Sequence, residues 1–456
     1  MSGKTSLTGP ILILDGISGG QMQLAALFLA PKGLAVPPVS TRQQDVQPQV
    51  IADYAEVSVH RARFALPADR ASSYGWNGQS FEIAGLGGDI RLAYASCNGE
   101  EHGDLGRDGA ERNAMWARMR AQHEAQPFSL LLHGGDQIYA DEATKGHPLS
   151  EDWPDSLPKD PSRADLAALR EHLREGFLER YAVNYAAPEF AWLAARVPAL
   201  MQWDDHDICD GWGSLQRSRT YSPVGQTLFS AAREAALLFQ HGTTEGDLPP
   251  RFADPEGLHL GWCVETDGLR IVAPDLRSER SRRAVMGGGG WQMMEAEAAR
   301  EMPGRTFLMS SVPLLGPRLS VLEMLMVAMP RMQEYEDDLR DQWQSRAHRD
   351  SWKRMLRLTG SMARGPAQQV TALSGEIHLA TRAEMPLKDG STLHQLVASG
   401  IAHRAPPKAW AWALGMLAFA GEGPLPGQPL GRGGHRTSPL PDAKPARIGW
   451  LGDDAD

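Results

Sequence analysis

The sequence predicts a layered α/β domain preceded by a small all-β region, and three observations carry that expectation. Short apolar runs at 90–95, 128–132, 197–203 and 369–373 have the length of buried strands, and each ends in small or polar residues. Amphipathic helical patterns lie at 111–125, 162–195, 226–240 and 335–357, so that strands and helices alternate. Upstream, short strand-like runs at 9–14 and 22–29 and an approximate alternation over 57–66 recur between Gly and Pro turns, which is the pattern of a small sandwich.

Taken in order, residues 1–86 form the all-β region and hold no catalytic cluster, which leaves them packing or substrate guidance. The main domain spans 87–420. Its first strand, IRLAYA, ends in Ser96-Cys97-Asn98-Gly99, and a polar Gly-rich loop follows to Gly109. The helix at 111–125 turns Met115, Trp116 and Met119 to one side. The next run stops at Gly134-Gly135, then places Asp136, Gln137, Ile138 and Tyr139. Residues 145–161, rich in Pro, Asp and Ser, read as an irregular excursion. The helix at 162–195 carries Leu166, Leu169, Leu173, Phe177 and Leu178 at helical spacing. The run VPALMQW ends in Asp204-Asp205-His206-Asp207, with Asp210 and Gly211 beyond. A hairpin at 262–265 and 269–275 turns on Thr266-Asp267-Gly268 and leads to Asp275, Arg277 and Arg280. Four glycines at 287–290 lack the Gly-Lys-Ser/Thr of a phosphate loop and read as a flexible approach to the helix of Trp291. Strands follow at 305–310 and 396–399, and the run at 369–373 ends in Ser374-Gly375-Glu376-Ile377-His378. From 421 to 456, Gly and Pro dominate, which predicts an extended tail without a core.

At 456 residues the chain exceeds one core and predicts a main domain with a smaller companion. The net charge of −10 excludes a basic field for nucleic acid or anionic membrane. Three cysteines, an odd number without a CxxC pair, fit a reducing compartment rather than a disulfide framework. The first residues show no secretory signal, and the expected location is cytoplasmic. The apolar stretches 321–329 and 409–420 are too short to span a bilayer and read as buried or partner-facing helices.

Four strand ends therefore carry metal-capable side chains: Cys97; Asp136 with Tyr139; Asp204, Asp205 and His206; and Glu376 with His378. Thiolate, phenolate, carboxylate and imidazole all bind transition metals, and a strand-end carboxylate suits bridging. A two-metal site binds a phosphate ester, generates hydroxide near neutral pH and stabilises an in-line displacement. His206, next to Asp205, is placed to protonate a leaving alkoxide. Each signal has a plainer reading, a turn cap for Asp136 or a buried small residue for Cys97; the conjunction at four strand ends argues against coincidence. Arg277 and Arg280 could clamp a phosphate, or equally pair with Asp275 or Glu279.

The segments ASCNGEEHG, PFSLLLHGGDQIYADE, PALMQWDDHDICDGWGS, APDLRSER and TALSGEIHLA, in this order over about residues 90–405, resemble the PhoD-like phosphatases of the calcineurin-like metallophosphoesterase superfamily. The wording is closest to the branch without an export signal. The resemblance implies a four-layer α/β/β/α sandwich with a dinuclear metal site at the strand ends. By the same resemblance Cys97 is a thiolate ligand, Asp136 the bridging carboxylate, Tyr139 a ligand to ferric iron, Asp205 and His206 the counterpart of the superfamily's Asn-His pair, and His378 the last histidine. The implied metals are iron with calcium or another divalent ion, manganese and zinc included. The chain departs from the pattern in having Glu376 where Asp is usual, and in having no histidine within 309–313. The function so implied is metal-dependent hydrolysis of a small-molecule phosphomonoester or diester. The alternative is a degenerate phosphatase fold that binds a phospholigand or protein, using the N-terminal region and a surface around Trp410 and Trp412.

Overall fold

The computed structural model describes residues 6–301, 304–316, 341–363, 368–387, 390–405 and 436–439. The N-terminal strands are β1 (Thr8–Ser18), β2 (Gln21–Pro31), β3 (Val39–Ser40), β4 (Asp45–Val46), β5 (Gln49–Asp53), β6 (Val57–Pro67), β7 (Ser72–Trp76) and β8 (Gln79–Ile83). The next three are β9 (Leu92–Ala95), β10 (Leu130–His133) and β11 (Ala199–Met201). Then come β12 (Trp262–Thr266), β13 (Leu269–Ala273), β14 (Gly304–Met309), β15 (Gln368–Ser374), β16 (Thr381–Pro386), β17 (Thr392–Val397) and β18 (Arg436–Pro439).

Two seven-stranded sheets form the middle of the molecule, in the orders β5-β6-β2-β1-β11-β10-β9 and β12-β13-β14-β15-β17-β16-β18. Strands β9, β10 and β11 are parallel to one another, as are β13, β14, β15 and β17. The period of two explains how the second sheet separates its cores. Ile271, Ala273, Met309 and Leu373 face the first sheet, while their neighbours Val272, Leu308 and Ala372 face the helices Gly288–Ala299 and Arg349–Met362. On the outside of the first sheet, helices Arg163–Ala186 and Pro188–Ala194 pack on β1. The result is the expected helix–sheet–sheet–helix layering. Near the strand ends, the Trp262 indole donates to the Met201 carbonyl at 2.8 Å and Gln202 Nε2 to the Pro274 carbonyl at 2.6 Å, tying the two sheets together.

The expected division at residue 86 does not separate the sheets. β1 pairs in parallel with β11, and β2 and β6 continue the same sheet. Most of β1 and β2 is buried at consecutive positions, which means that both faces are covered; a free-standing sandwich would leave one face to water. Among the described residues, β4-β3-β7-β8 forms a small sheet of its own. Other expectations also shift. The helix at 162–195 is two helices, because Pro188 starts a new one after Ala186. The glycines at 288–290 lie inside helix Gly288–Ala299 rather than in a flexible approach. The helix expected at 335–357 runs Arg349–Met362 among the described residues. The tail contributes an edge strand, since β18 pairs with β16. The stretches 321–329 and 409–420, with Trp410 and Trp412, lie outside the described residues. Among the described residues no helix is long and apolar enough to cross a membrane.

The two glycines after β10 are required by close approach. A Cβ on Gly134 would lie 1.7 Å from the Tyr94 hydroxyl, and one on Gly135, whose φ is +115°, would lie 2.6 Å from the Asp204 Cβ. Gly134→Ala is expected to destabilise the fold by about 1–3 kcal/mol in chemical denaturation through overpacking. A change within about 0.5 kcal/mol would show that Tyr94 yields readily.

Candidate active site

The parallel strands of both sheets deliver their C-terminal ends to one region. β9 leads to Cys97, β10 to Asp136 and Tyr139, β11 to Asp204, Asp205 and His206, β13 to Asp275 and Arg277, and β15 to Glu376 and His378. The backbone is strained where it turns into this region. Of the six described non-glycine residues with positive φ, four are Cys97 (54°), Asp136 (52°), Glu376 (66°) and His378 (53°). Such strain persists only where the surroundings over-determine it, and it concentrates at functional sites.

Side-chain geometry joins the groups in pairs. Cys97 Sγ lies 3.5 Å from Asp136 Oδ2, and Tyr139 Oη lies 3.1 Å from His378 Nε2. The Tyr139 ring stacks on His206 with centroids 4.3 Å apart. Asp136, Asp204 and Asp205 are all buried, and each offers an oxygen within 4.8 Å of the others. Burial and the neighbouring Asp204 push the Asp136 carboxyl well above the ordinary carboxylate range. Burial likewise raises the Cys97 thiol and the Tyr139 phenol, and Asp136 adds to both. Glu376 is raised by burial and by Asp341. Its Oε1 accepts from Gln342 at 2.6 Å.

A metal ion fits this donor set. Asp136 Oδ1, Asp204 Oδ2 and Glu376 Oε2 are buried oxygens without a hydrogen-bond donor, and Asp205 Oδ1 has only the Arg277 guanidinium at 3.3 Å. Buried charges of one sign are tolerated when paired or when they coordinate metal. A cation among these oxygens would oppose the upward shifts of Asp136 and Glu376.

Arg277 is corrected by the structure. It is fully buried and is not presented to a substrate. Its Nε contacts Asp204 Oδ1, its guanidinium reaches Asp205 at 3.3 Å and Asp341 at 2.8 Å, and it donates to the Trp212 carbonyl at 2.9 Å. The ion pair with Asp275 or Glu279 is not formed either; Asp275 instead accepts from the Arg277 and Ser278 backbone amides and from the Trp203 indole. Arg280 pairs with Asp341 at 2.8 Å. Where the sequence lacks a histidine at 309–313, Ser311 donates to Asp204 Oδ1 at 2.7 Å.

Several residues of the site were not singled out in the sequence. Asp141 Oδ2 accepts from His206 Nδ1 at 3.0 Å, and Asp141 Oδ1 accepts from the Asp210 amide at 2.6 Å. Burial opposes charge on His206, but Asp141 and Asp205 outweigh it and keep the ring protonated well above its ordinary range. His403 stacks on His378 with centroids 3.4 Å apart and reaches the Glu101 carboxylate at 3.3 Å. Asp141 stood five residues past Asp136 inside a segment already marked, and that proximity was its only signal. His403 and Asp341 lie in no recognisable motif.

A two-sheet, four-layer core with metal-capable side chains at its strand ends is an α/β phosphoesterase-like fold. The chain belongs to the PhoD related phosphatase family, whose model matches residues 82–334, more than half of its length. It is similar to the uncharacterized Saccharomyces cerevisiae protein YGR266W, 24% identical over 407 residues that cover 70% of this chain and 57% of the yeast protein. The chain thus spans little more than half the length of that relative. Among solved structures it resembles one described as the structure of PhoD, with a TM-score of 0.55 at 13% identity, over 88% of this chain and 77% of the other.

If the carboxylates are a cation site, Asp136→Asn relieves their mutual repulsion in metal-free protein. Its Tm there is expected to equal or exceed that of the wild type, while the rise in Tm on adding divalent or ferric ions disappears. Calorimetry with and without metal checks this, and a variant that gains as much Tm from metal as the wild type contradicts the assignment.

Proposed function

We propose that the protein is a metal-dependent phosphoesterase that hydrolyses a small-molecule phosphomonoester or diester by direct attack of water. The observation that carries this reading is the triad Asp136, Asp204 and Asp205, with orphaned buried oxygens on Asp136 and Asp204, beside the His206–Asp141 pair. Asp136, Asp205, Cys97, Tyr139 and His378 would hold the metal, iron with calcium or another divalent ion, and Glu376 with its free Oε2 would add to them. The bound metal supplies Lewis acidity, which lowers the pKa of water and offsets charge on the phosphoryl oxygens.

The chain's own residues do the rest. Asp141 accepts a hydrogen bond from His206 Nδ1–H and so fixes the ring, leaving Nε2–H to give its proton to the departing oxygen. The Tyr139 ring under His206 holds the same orientation from the other side. Burial of the carboxylates excludes water that would otherwise screen them. The free thiols Cys97, Cys209 and Cys263 agree with a reducing, cytoplasmic setting.

Chelator-treated protein is expected to release no p-nitrophenol from p-nitrophenyl phosphate or its bis ester, and to recover activity with iron, calcium, manganese or zinc. His206→Gln should lower kcat by about 10²–10⁴ with little change in KM, as expected for loss of a general acid. Asp141→Asn should lower it less, because His206 stays while its orientation is loosened. Absence of release from both esters under every metal tested would refute the reading.

A further inference from the structure

The strained Asp136 needs a brace, and the structure points to one outside the predicted site. We propose that Asp207 and Gln240 form a buried positioning device that sets the metal affinity of Asp136 and Asp204; this rests on the metal-site reading above. Asp207 is 1% exposed, and both of its oxygens are committed. Oδ1 accepts from the Gln137 amide at 2.9 Å, the Ile138 amide at 3.3 Å and Gln240 Nε2 at 3.0 Å. Oδ2 accepts from the Asp204 amide at 2.8 Å. One carboxylate therefore ties the loop after β10 to the loop after β11, one residue beyond Asp136 and at Asp204 itself.

Gln240 reaches Asp207 because of an irregularity in its helix. Helix Pro223–Ala235 continues into a π-helical turn at Ala236–Gln240, closed by the His241 amide on the Ala236 carbonyl at 3.2 Å. The wider turn changes the direction of every side chain after it, and such turns occur often at functional sites. Gln240 is fully buried, and its amide also donates to the Tyr181 hydroxyl at 2.7 Å. The opposite side of the same loop is gripped as well. The Gln137 carbonyl accepts from Asn184 at 2.8 Å and Asn98 at 3.3 Å, and the Asp136 carbonyl accepts from the Asn98 amide at 2.8 Å. Held at Gln137 N–H by Asp207 and at the Asp136 C=O by the Asn98 backbone amide, the 136–137 peptide is fixed on both edges beside Asp136, whose φ is 52°. With both Asp207 oxygens taken up by these donors, Asp207 and Gln240 act through Asp136 and Asp204. Outer partners of this kind commonly change metal affinity by about 10–100-fold when removed.

The test compares Gln240→Met, which keeps length and removes the amide, with the harsher Asp207→Asn. Manganese alone is titrated calorimetrically into each metal-free chain, and amide exchange is followed by mass spectrometry over 134–140 and 203–208. Both variants are expected to bind manganese about 10–100-fold more weakly, with faster exchange in those two segments and unchanged exchange in β10 and in helix Pro223–Ala235. Affinity within about twofold of wild type in folded Gln240→Met overturns the proposal, as does exchange that rises equally throughout both elements, which would mark a general loss of stability. A wild-type chain that binds no manganese overturns the proposal, and the functional reading falls with it if iron, calcium and zinc do not bind either. A wild type that binds, with variants that bind equally, overturns the brace alone.

Discussion

Three buried carboxylates that repel one another, Asp136, Asp204 and Asp205, are the constraint on which the rest of the structure depends. No apolar core would gather such charge unaided. The protein surrounds it with fixed donors: Arg277 on Asp204, the Gly211 amide on Asp205 at 3.0 Å, and Ser311 on Asp204. Asp341 in turn holds Arg277 and Arg280, so the guanidinium at the centre stays where the carboxylates need it. Removing one member of such a buried network leaves the others uncompensated, which is why its cost exceeds that of a surface ion pair.

The two-sheet architecture serves that centre. Parallel strands alone bring several chain ends to one edge, and two facing sheets double the number of groups that can meet there. The glycines at 134 and 135 let the β10 loop pass against Tyr94 and Asp204, where any Cβ would collide. Left-handed backbone at Cys97, Asp136, Glu376 and His378 then aims those side chains inward. Strain at the chemical centre is thus carried by a scaffold that is regular elsewhere.

Much of this was legible in the sequence. Buried parallel strands are short apolar runs ending in small residues, and β9, β10, β11 and β15 all appeared so. Cys97, Asp136, Tyr139, Asp205, His206, Glu376 and His378 follow those runs directly, and the structure brings them together. What stayed hidden depends on distance through space. The continuity of β1 with β11 joins Ile13 to Ala199, and no local pattern announces a pairing across such a separation. Arg277 carried the same charge whether it met a phosphate or carboxylates; only its complete burial decides between them. His403 stacks on His378 from a loop without a motif, and Asp207 stood in the marked segment but shows its bracing role only through the amides it accepts.

Diffraction from crystals grown with manganese, collected on both sides of its absorption edge, tests whether the three carboxylates hold a cation. An anomalous peak is expected among the carboxylate oxygens of Asp136, Asp204 and Asp205, beside Tyr139 and His378. A peak elsewhere on the molecule, with these carboxylates still lacking a cation, would contradict it.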